Sequence, residues 1–297
     1  MKPAPFEYHA PATLGEALRL LSEAGDDGKL LAGGQSLVPL LNMRVLRPSA
    51  LIDLNGVPEL RVVKTSDGNG LSLGAMVRQR TLERDPLIRE RVPLLSEAAA
   101  LIGHMQIRTR GTLGGSLVHA DPAAELPAAV TALSARLTVR GPSGVRTLSS
   151  EEFFIGPLTT ALAPGEVLVD VLFPPLPPGT GWAFVELTRR HGDFAIVGAA
   201  ALAHLDGAGR VDFASMALCG TGGTPYASPW LGDVLHGERP RAELIQEVGR
   251  RLSESVEPDG DIHASAGYRR KVAGVIGTRA LALALDRAQG PHRAEVA

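Results

Sequence analysis

The first hydrophobic pattern along the chain predicts a helix that leads into a strand. Thr13 and Glu16 form a T-x-x-E capping box, in which each side chain bonds a free backbone N–H at a helix start. Leucines follow at helical spacing, and Gly25 suits the left-handed end of such a helix. Residues 29–32, with apolar side chains from Leu30 onward, then predict a short strand that runs directly into a pair of glycines.

Apolar runs of strand length alternate with helical stretches through the next part of the chain. The runs read ALIDL, LSLGA, ARLTVR and EVLVDVLF, and helical spacing is clearest over residues 82–91 and 123–133. This pattern predicts a mixed α+β fold. The segment FPPLPPGTG, residues 173–181, lacks a backbone N–H at four positions, so we expect a domain boundary there.

Three further apolar runs follow this proline-rich segment. They read GWAFVELTRR, FAIVGAAALAHLD and RVDFASMALCG, and their turns include DGAGR and GTGGTP. Such runs predict an antiparallel meander. Residues 241–257 and 264–287 have helical spacing, so helices are expected to cover one face of that sheet.

Two loops with almost no side chains interrupt these elements. The first is Gly33 to Ser36, within KLLAGGQSLVPLLNMR, and the second contains Gly114 to Ser116, within RGTLGGSLVHADPAAELP. Backbone N–H groups without nearby Cβ atoms can form a concave nest that binds phosphate oxygens. The alternative is that both segments are only tight turns.

Composition excludes several classes of function. Thirty basic residues against 32 acidic ones give a net charge of −2, which provides no electrostatic reason to expect nucleic acid or an anionic membrane as partner. The chain shows no signal peptide and no apolar run long enough for a membrane span, so a cytoplasmic protein is expected.

The usual nucleotide and hydrolase motifs are absent from the sequence. It contains no G-x-x-x-x-G-K-[ST], no G-x-G-x-x-G, no G-x-S-x-G and no H-E-x-x-H. Cys219 is the only cysteine, so this chain cannot ligate an iron–sulfur cluster through four thiolates. No catalytic side chain and no metal site is therefore predicted.

Four segments together resemble one family. LAGGQSLVPLLNMR, RGTLGGSLVHADPAAELPAAV, RRHGDFAIVGAAA and DIHASAGYRRKVAGVIGTRAL are similar to the FAD-binding medium subunit of the carbon monoxide dehydrogenase and xanthine dehydrogenase family of molybdenum hydroxylases. The resemblance extends over about residues 3–285.

The resemblance implies an α+β architecture with two domains. A FAD-binding domain of the vanillyl-alcohol-oxidase-like type is expected over residues 1–176, with subdomains of about 1–55 and 56–176. A C-terminal α+β domain, an antiparallel sheet with helices, is expected over 177–290, and 291–297 form a tail.

The same resemblance implies a set of FAD-binding residues. Both glycine loops would wrap the pyrophosphate, Glu125 would bond the sugar-like hydroxyls, and Phe194 would lie against the isoalloxazine ring. The alternatives are a solvated helix residue for Glu125, a core residue for Phe194, and a capping role for Asp121 beside His119. The expected cofactor-binding residues are Ala32, Gly33, Gly34, Gln35, Ser36, Leu37, Thr112, Leu113, Gly114, Gly115, Ser116, Val118, Glu125 and Phe194.

The implied function is electron transfer within an oxidoreductase. FAD, bound without a covalent link, would receive electrons from [2Fe–2S] clusters on a small partner subunit and deliver them to an external acceptor. A large partner subunit would carry the molybdenum cofactor, and the whole would form a dimer of heterotrimers. The alternatives are a stand-alone FAD-dependent oxidase or dehydrogenase acting on a small organic substrate, and a non-catalytic binding module.

Overall fold

The amino-terminal part of the chain forms a small parallel sheet. The computed structural model describes residues 2–290, so the predicted tail at 291–297 lies outside the described residues. Helix α1 (Leu14–Ala24) packs on this sheet, and the Thr13 hydroxyl accepts the Glu16 N–H at 3.2 Å. Helix α2 (Leu37–Asn42) follows the first glycine loop. The strands lie in the order β1-β3-β2, with bounds β1 (Glu7–His9), β2 (Gly28–Leu31) and β3 (Ala50–Asp53).

A five-stranded sheet follows, in the order β4-β5-β10-β6-β7. Its strands are β4 (Val63–Thr65), β5 (Leu71–Gly74), β6 (Arg136–Gly141), β7 (Gly144–Ser149) and β10 (Val167–Phe173). A short pair, β8 (Phe154–Gly156) and β9 (Thr159–Thr160), lies between β7 and β10 in the chain. The pairings within the larger sheet are antiparallel.

Helices connect β5 to β6 and cover this sheet. They are α3 (Gln79–Arg84), α4 (Pro86–Arg91), α5 (Pro93–Leu101), α6 (Met105–Arg110), α7 (Leu113–His119) and α8 (Glu125–Ala132), and α9 (Ser150–Phe153) follows β7. The expected single helix over 82–91 is two helices, because Pro86 cannot continue α3. Asp85 instead starts α4, where its carboxylate accepts the N–H groups of Leu87 and Ile88.

The carboxy-terminal part contains the predicted antiparallel meander. Its strands lie in the order β11-β12-β13-β14 and are β11 (Gly181–Leu187), β12 (Val197–Leu205), β13 (Val211–Cys219) and β14 (Tyr226–Ala227). The helices are α10 (Leu231–Leu235), α11 (Ala242–Ser255) and α12 (Ala266–Gln289). The predicted α+β fold class is confirmed.

Strand β12 is apolar over residues 197–203 because both of its faces are buried there. Ala199, Ala201 and Ala203 belong to the core shared with α11 and α12, whereas Ala200 and Leu202 belong to the core of the amino-terminal part of the chain. A strand covered on both sides has no solvent face that would favour polar residues. The meander is therefore held between two layers, of which the sequence predicted one.

Residues 174–180 join the two parts without a helix or strand. The boundary between 176 and 177, and the division of the first part near residue 55, stay predictions. Among the described residues, no helix is both long enough and apolar enough to cross a membrane.

The contact between β11 and α12 leads to a stability prediction. A Cβ atom added at Gly181 would lie 1.9 Å from the Ala284 carbonyl oxygen and 2.5 Å from the Ala288 nitrogen. Gly181→Ala should therefore push α12 off the sheet and lower the free energy of unfolding by ~1–3 kcal/mol. Gly207→Ala is the control, because its Cβ would meet nothing within 4 Å. Equal thermal midpoints for the two variants would contradict this packing argument.

Candidate functional site

A cavity of about 550 Å³ lies where three segments of the chain meet. The first glycine loop with α2, the second glycine loop with α7, and the loop between β11 and β12 all contribute to its wall. This volume lies within the usual range for small-molecule and cofactor sites, ~300–1,000 Å³. Among the described residues, no cluster of His, Cys, Asp and Glu could hold a metal ion.

The structure brings nearly all of the predicted binding residues together at this cavity. Leu113 differs: its side chain is fully buried in the core, and its N–H donates to the Val77 carbonyl at 2.9 Å. His119 and Asp121 also line the cavity. The predicted residues in the wall are Ala32, Gly33, Gly34, Gln35, Ser36, Leu37, Thr112, Gly114, Gly115, Ser116, Val118, Glu125 and Phe194.

The first glycine loop provides free backbone donors. Gly34 adopts a φ of +74°, which glycine reaches without steric cost. Within residues 2–290, the N–H groups of Gly34, Gln35 and Ser36 donate to no protein acceptor. The loop can therefore offer several N–H groups to an anionic ligand.

The second glycine loop is built differently, although its sequence is similar. Thr112 caps α7, and its hydroxyl accepts the Gly115 N–H at 3.0 Å. The Gly114 N–H donates to Ala75 and the Ser116 N–H to Thr112. Because these donors are already used, this loop offers the Ser116 hydroxyl and a bare backbone surface rather than a nest. The two loops therefore differ in the backbone donors that they leave free, and contact of both with the pyrophosphate stays a prediction.

The two loops touch each other through their backbones. A Cβ atom at Gly33 would lie 2.4 Å from the Arg110 carbonyl oxygen and 2.7 Å from the Gly111 Cα. Glycine at position 33 is thus needed for close contact between the loops, independently of any ligand.

A polar bridge that the sequence did not reveal holds this contact together. The Arg78 guanidinium donates to the Arg110 carbonyl and, at 2.5 Å, to Asn55 Oδ1. Asn55 Nδ2 donates in turn to the Ala32 carbonyl at 2.9 Å. Burial and the charge of Arg110 lower the pKa of Arg78. Arg78 and Asn55 lie outside both glycine motifs, and only their tertiary partners identify their role.

Glu125 is buried in the wall of the cavity. Only 4% of the residue is exposed, so the alternative of a solvated helix residue is wrong. Burial raises the pKa of its carboxyl to about 8, and the charges of Glu186 and Asp121 add to the effect. At neutral pH the carboxyl is therefore mostly protonated and can donate a hydrogen bond as well as accept one.

Phe194 lies at the mouth of the cavity and is 62% exposed. The alternative of a core phenylalanine is therefore wrong. Gly192, two residues before Phe194, packs closely on His104, since a Cβ atom at Gly192 would lie 2.6 Å from the imidazole Cε1. This contact connects the β11–β12 loop to the start of α6, so the mouth is formed by both parts of the chain.

Comparison with protein families assigns both parts. Residues 4–176 match the model described as the FAD binding domain in molybdopterin dehydrogenase. Residues 182–284 match the CO dehydrogenase flavoprotein C-terminal domain. The chain belongs to this family of molybdopterin dehydrogenase flavoproteins. FAD is accordingly the cofactor that the cavity is expected to hold.

Relatives of known activity match this flavoprotein over almost its whole length. The 6-hydroxypseudooxynicotine dehydrogenase complex subunit alpha of Paenarthrobacter nicotinovorans is 42% identical, over 97% of each chain. A structure of carbon monoxide dehydrogenase from Hydrogenophaga pseudoflava matches with a TM-score of 0.93 and 39% identity, over 97% of this chain and 99% of the other. Quinoline 2-oxidoreductase from Pseudomonas putida 86 matches with a TM-score of 0.91 and 39% identity, over the same shares.

The residues of the flavoprotein's cavity fit FAD. The free N–H groups of the first loop suit a diphosphate, and Lys29 adds a positive charge to that side of the wall. The Ser116 hydroxyl and the Glu125 carboxyl can bond hydroxyl groups, and Phe194 offers an aromatic face. Contact of each predicted residue with FAD stays a prediction.

The backbone contact at Gly33 predicts a loss of FAD binding when it is obstructed. Gly33→Ala should push the two loops apart and raise the Kd for FAD by about tenfold or more, equivalent to ~1.4 kcal/mol, so that the purified flavoprotein contains less FAD. Gly15→Ala in α1 is the matched control, since its Cβ would meet nothing within 4 Å. Visible absorbance per polypeptide measures the content, and equal values for both variants would contradict the prediction.

The burial of Glu125 predicts a pH-dependent stability. Because its folded-state pKa of about 8 lies above the ordinary 4.5, wild-type stability should fall as the pH rises through this interval. Glu125→Gln removes that fall. As the pH rises, the free energy of unfolding of the variant should therefore increase relative to that of wild type, by up to a few kcal/mol in total (~1.4 kcal/mol per pH unit at most). Thermal midpoints between pH 4.5 and 8 test this, with the exposed Glu243→Gln as control. Parallel curves for Glu125→Gln and wild type would disprove it.

Proposed function

We propose that this flavoprotein is the electron-transfer subunit of a molybdenum-containing dehydrogenase. In this proposal, electrons pass from [2Fe–2S] clusters on a small partner subunit to FAD and then to an external acceptor. A large partner subunit carries the molybdenum cofactor and oxidises the substrate. The three subunits form a dimer of heterotrimers in the cytoplasm.

The observation that carries the proposal is a FAD cavity in a chain that cannot build its own electron donor. The sequence contains one cysteine, Cys219. It is fully buried in the core shared by the two parts of the chain, and burial raises the pKa of its thiol well above the usual range. A four-thiolate cluster must therefore lie on another polypeptide. Relatives that are named as a complex subunit and as a medium chain support such an assembly.

The residues of this chain bind and orient the cofactor. In this proposal the N–H groups of the first loop would hold the pyrophosphate, and the Ser116 hydroxyl would donate a further hydrogen bond to it. The protonated Glu125 carboxyl bonds a hydroxyl of the sugar-like chain, and Phe194 packs against the isoalloxazine ring. FAD, when bound, accepts electrons singly or in pairs and releases them to an acceptor, so no protein acid or base is required.

Flavin removal from the assembled complex tests this role. The chain is co-expressed with its iron–sulfur and molybdenum subunits, the complex is isolated, and its iron, molybdenum and acid-released FAD are measured. In complex depleted of FAD, substrate should still bleach the iron–sulfur absorbance, whereas reduction of the external acceptor should fall by at least about tenfold and return when FAD is added.

Two results would reject the proposal. Unchanged acceptor reduction after flavin removal would place the exit of electrons elsewhere. An isolated chain that reduces its own flavin with an organic substrate, without iron or molybdenum, would favour the stand-alone oxidase. Acid release of the flavin also tests its non-covalent attachment, because His119 lies in the cavity wall.

A further inference from the structure

A buried arginine lies near the start of α12, within the motif DIHASAGYRR. Arg269 is 7% exposed, and three acceptors surround its guanidinium. Nη2 donates to Asp261 Oδ2 at 2.7 Å, and Nη1 donates to the carbonyl oxygens of Gly220, at 3.2 Å, and of Ile196. A buried guanidinium is stable only when its donors and its charge are satisfied, as they are here.

The two carbonyl groups belong to neighbouring strand ends. Ile196 immediately precedes β12, and Gly220 immediately follows β13. Gly220 has a φ of +73°, and a Cβ there would lie 2.3 Å from the Ile196 carbonyl oxygen. The two strand ends are therefore in close contact at the point where Arg269 donates to both carbonyl groups.

Each strand end leads to a different wall of the FAD cavity. Ile196 lies two residues after Phe194 at the cavity mouth, and Ala195 between them is buried. Gly220 donates its N–H to the Pro122 carbonyl at 2.7 Å. Pro122 follows Asp121 and precedes Glu125, and both acids line the cavity. The Arg269 guanidinium is thus connected to a cavity-lining segment of each domain, to one through Ile196 and to the other through Gly220.

Asp261 is built to orient this guanidinium. Its Oδ1 accepts the N–H groups of His263 at 2.8 Å and Ala264 at 2.9 Å, which leaves Oδ2 for Arg269. The hydrogen bond from Arg269 lowers the pKa of Asp261 to about 2. The carboxylate therefore stays charged at physiological pH and fixes the arginine as an ion pair.

We infer that Arg269, oriented by Asp261, is a positioning residue for the FAD site. It sets where the Phe194 segment and the Asp121–Glu125 segment lie relative to each other. Lysine cannot replace it, because a single ammonium cannot reach three acceptors that the planar guanidinium reaches at once. The inference rests on the proposed function in that it takes the cavity to be the FAD site.

Two substitutions and a matched control test this role in the full chain. Arg269→Lys removes the planar set of guanidinium donors. Asp261→Asn removes the negative charge but keeps a side-chain oxygen that can accept the N–H groups of His263 and Ala264. Arg270→Lys is the control, since Arg270 is exposed and its Nε donates to Val256 at 3.3 Å, away from the cavity. The readouts are the Kd for FAD by fluorescence quenching, the visible circular dichroism of the bound flavin, its midpoint potential and the far-ultraviolet spectrum.

Arg269→Lys should weaken FAD binding by about tenfold and change the visible dichroism and the midpoint potential, with an unchanged far-ultraviolet spectrum. Asp261→Asn should give a smaller change in the same direction, and Arg270→Lys should match wild type. A purely structural residue would lower the thermal midpoint and leave the bound flavin's spectrum and potential unaltered.

Three results would overturn the inference. They are wild-type affinity and flavin spectra in both variants, a lowered thermal midpoint as the only effect, and loss of the fold in both variants. The last would make the ion pair a folding element. Failure of the proposed function would give a different result. The wild-type chain would bind FAD and Arg269→Lys would weaken that binding, yet the flavin would receive no electrons from the partner subunits.

Discussion

The arrangement of the FAD cavity depends on the backbone contact between its two glycine loops. Gly33 lies against Arg110 and Gly111 with no space for a Cβ atom. The Arg78 guanidinium and the Asn55 amide bridge the same two segments from the side. The first loop follows β2 of the parallel sheet, whereas the second loop lies between α6 and α7, among the helices that cover the five-stranded sheet. The contact therefore connects these two parts of the fold. Residues of both loops line the cavity, so this contact sets the distance between two of its walls.

Similar glycine motifs serve different purposes on the two sides of this contact. Within the described part of the chain, residues 2–290, the N–H groups of Gly34, Gln35 and Ser36 have no protein acceptor, so the first loop can offer them to an anion. The second loop uses its N–H groups within the protein, and a Cβ at Gly114 would lie 2.6 Å from the Ala75 Cβ. Gly114 therefore allows the start of α7 to lie close to the residue that follows β5. Glycine thus leaves backbone N–H donors accessible in one loop and permits close packing in the other.

The C-terminal meander takes part in the site because it is anchored to the FAD-binding part. Glu97 of α5 accepts the Phe184 N–H at 3.0 Å through one carboxylate oxygen and binds Arg287 of α12 at 2.7 Å through the other. The apolar face of β12 packs on the same side. This docking, together with the Arg269 ion pair, carries the exposed Phe194 to the mouth of a cavity whose other walls lie in the first domain.

Local sequence by itself determined the elements of this protein and the family to which it belongs. Capping residues, alternation and prolines act over a few residues, so the meander, its helices and both glycine loops could be predicted without tertiary information. The split at Pro86 was missed although its signal is equally local. Tertiary structure alone decided the burial of Glu125, the exposure of Phe194, and which loop keeps free donors. Burial, pKa and hydrogen-bond satisfaction depend on residues far apart in the chain, such as Arg78 with Asn55 or Arg269 with Gly220, and no pattern along the sequence records those partners.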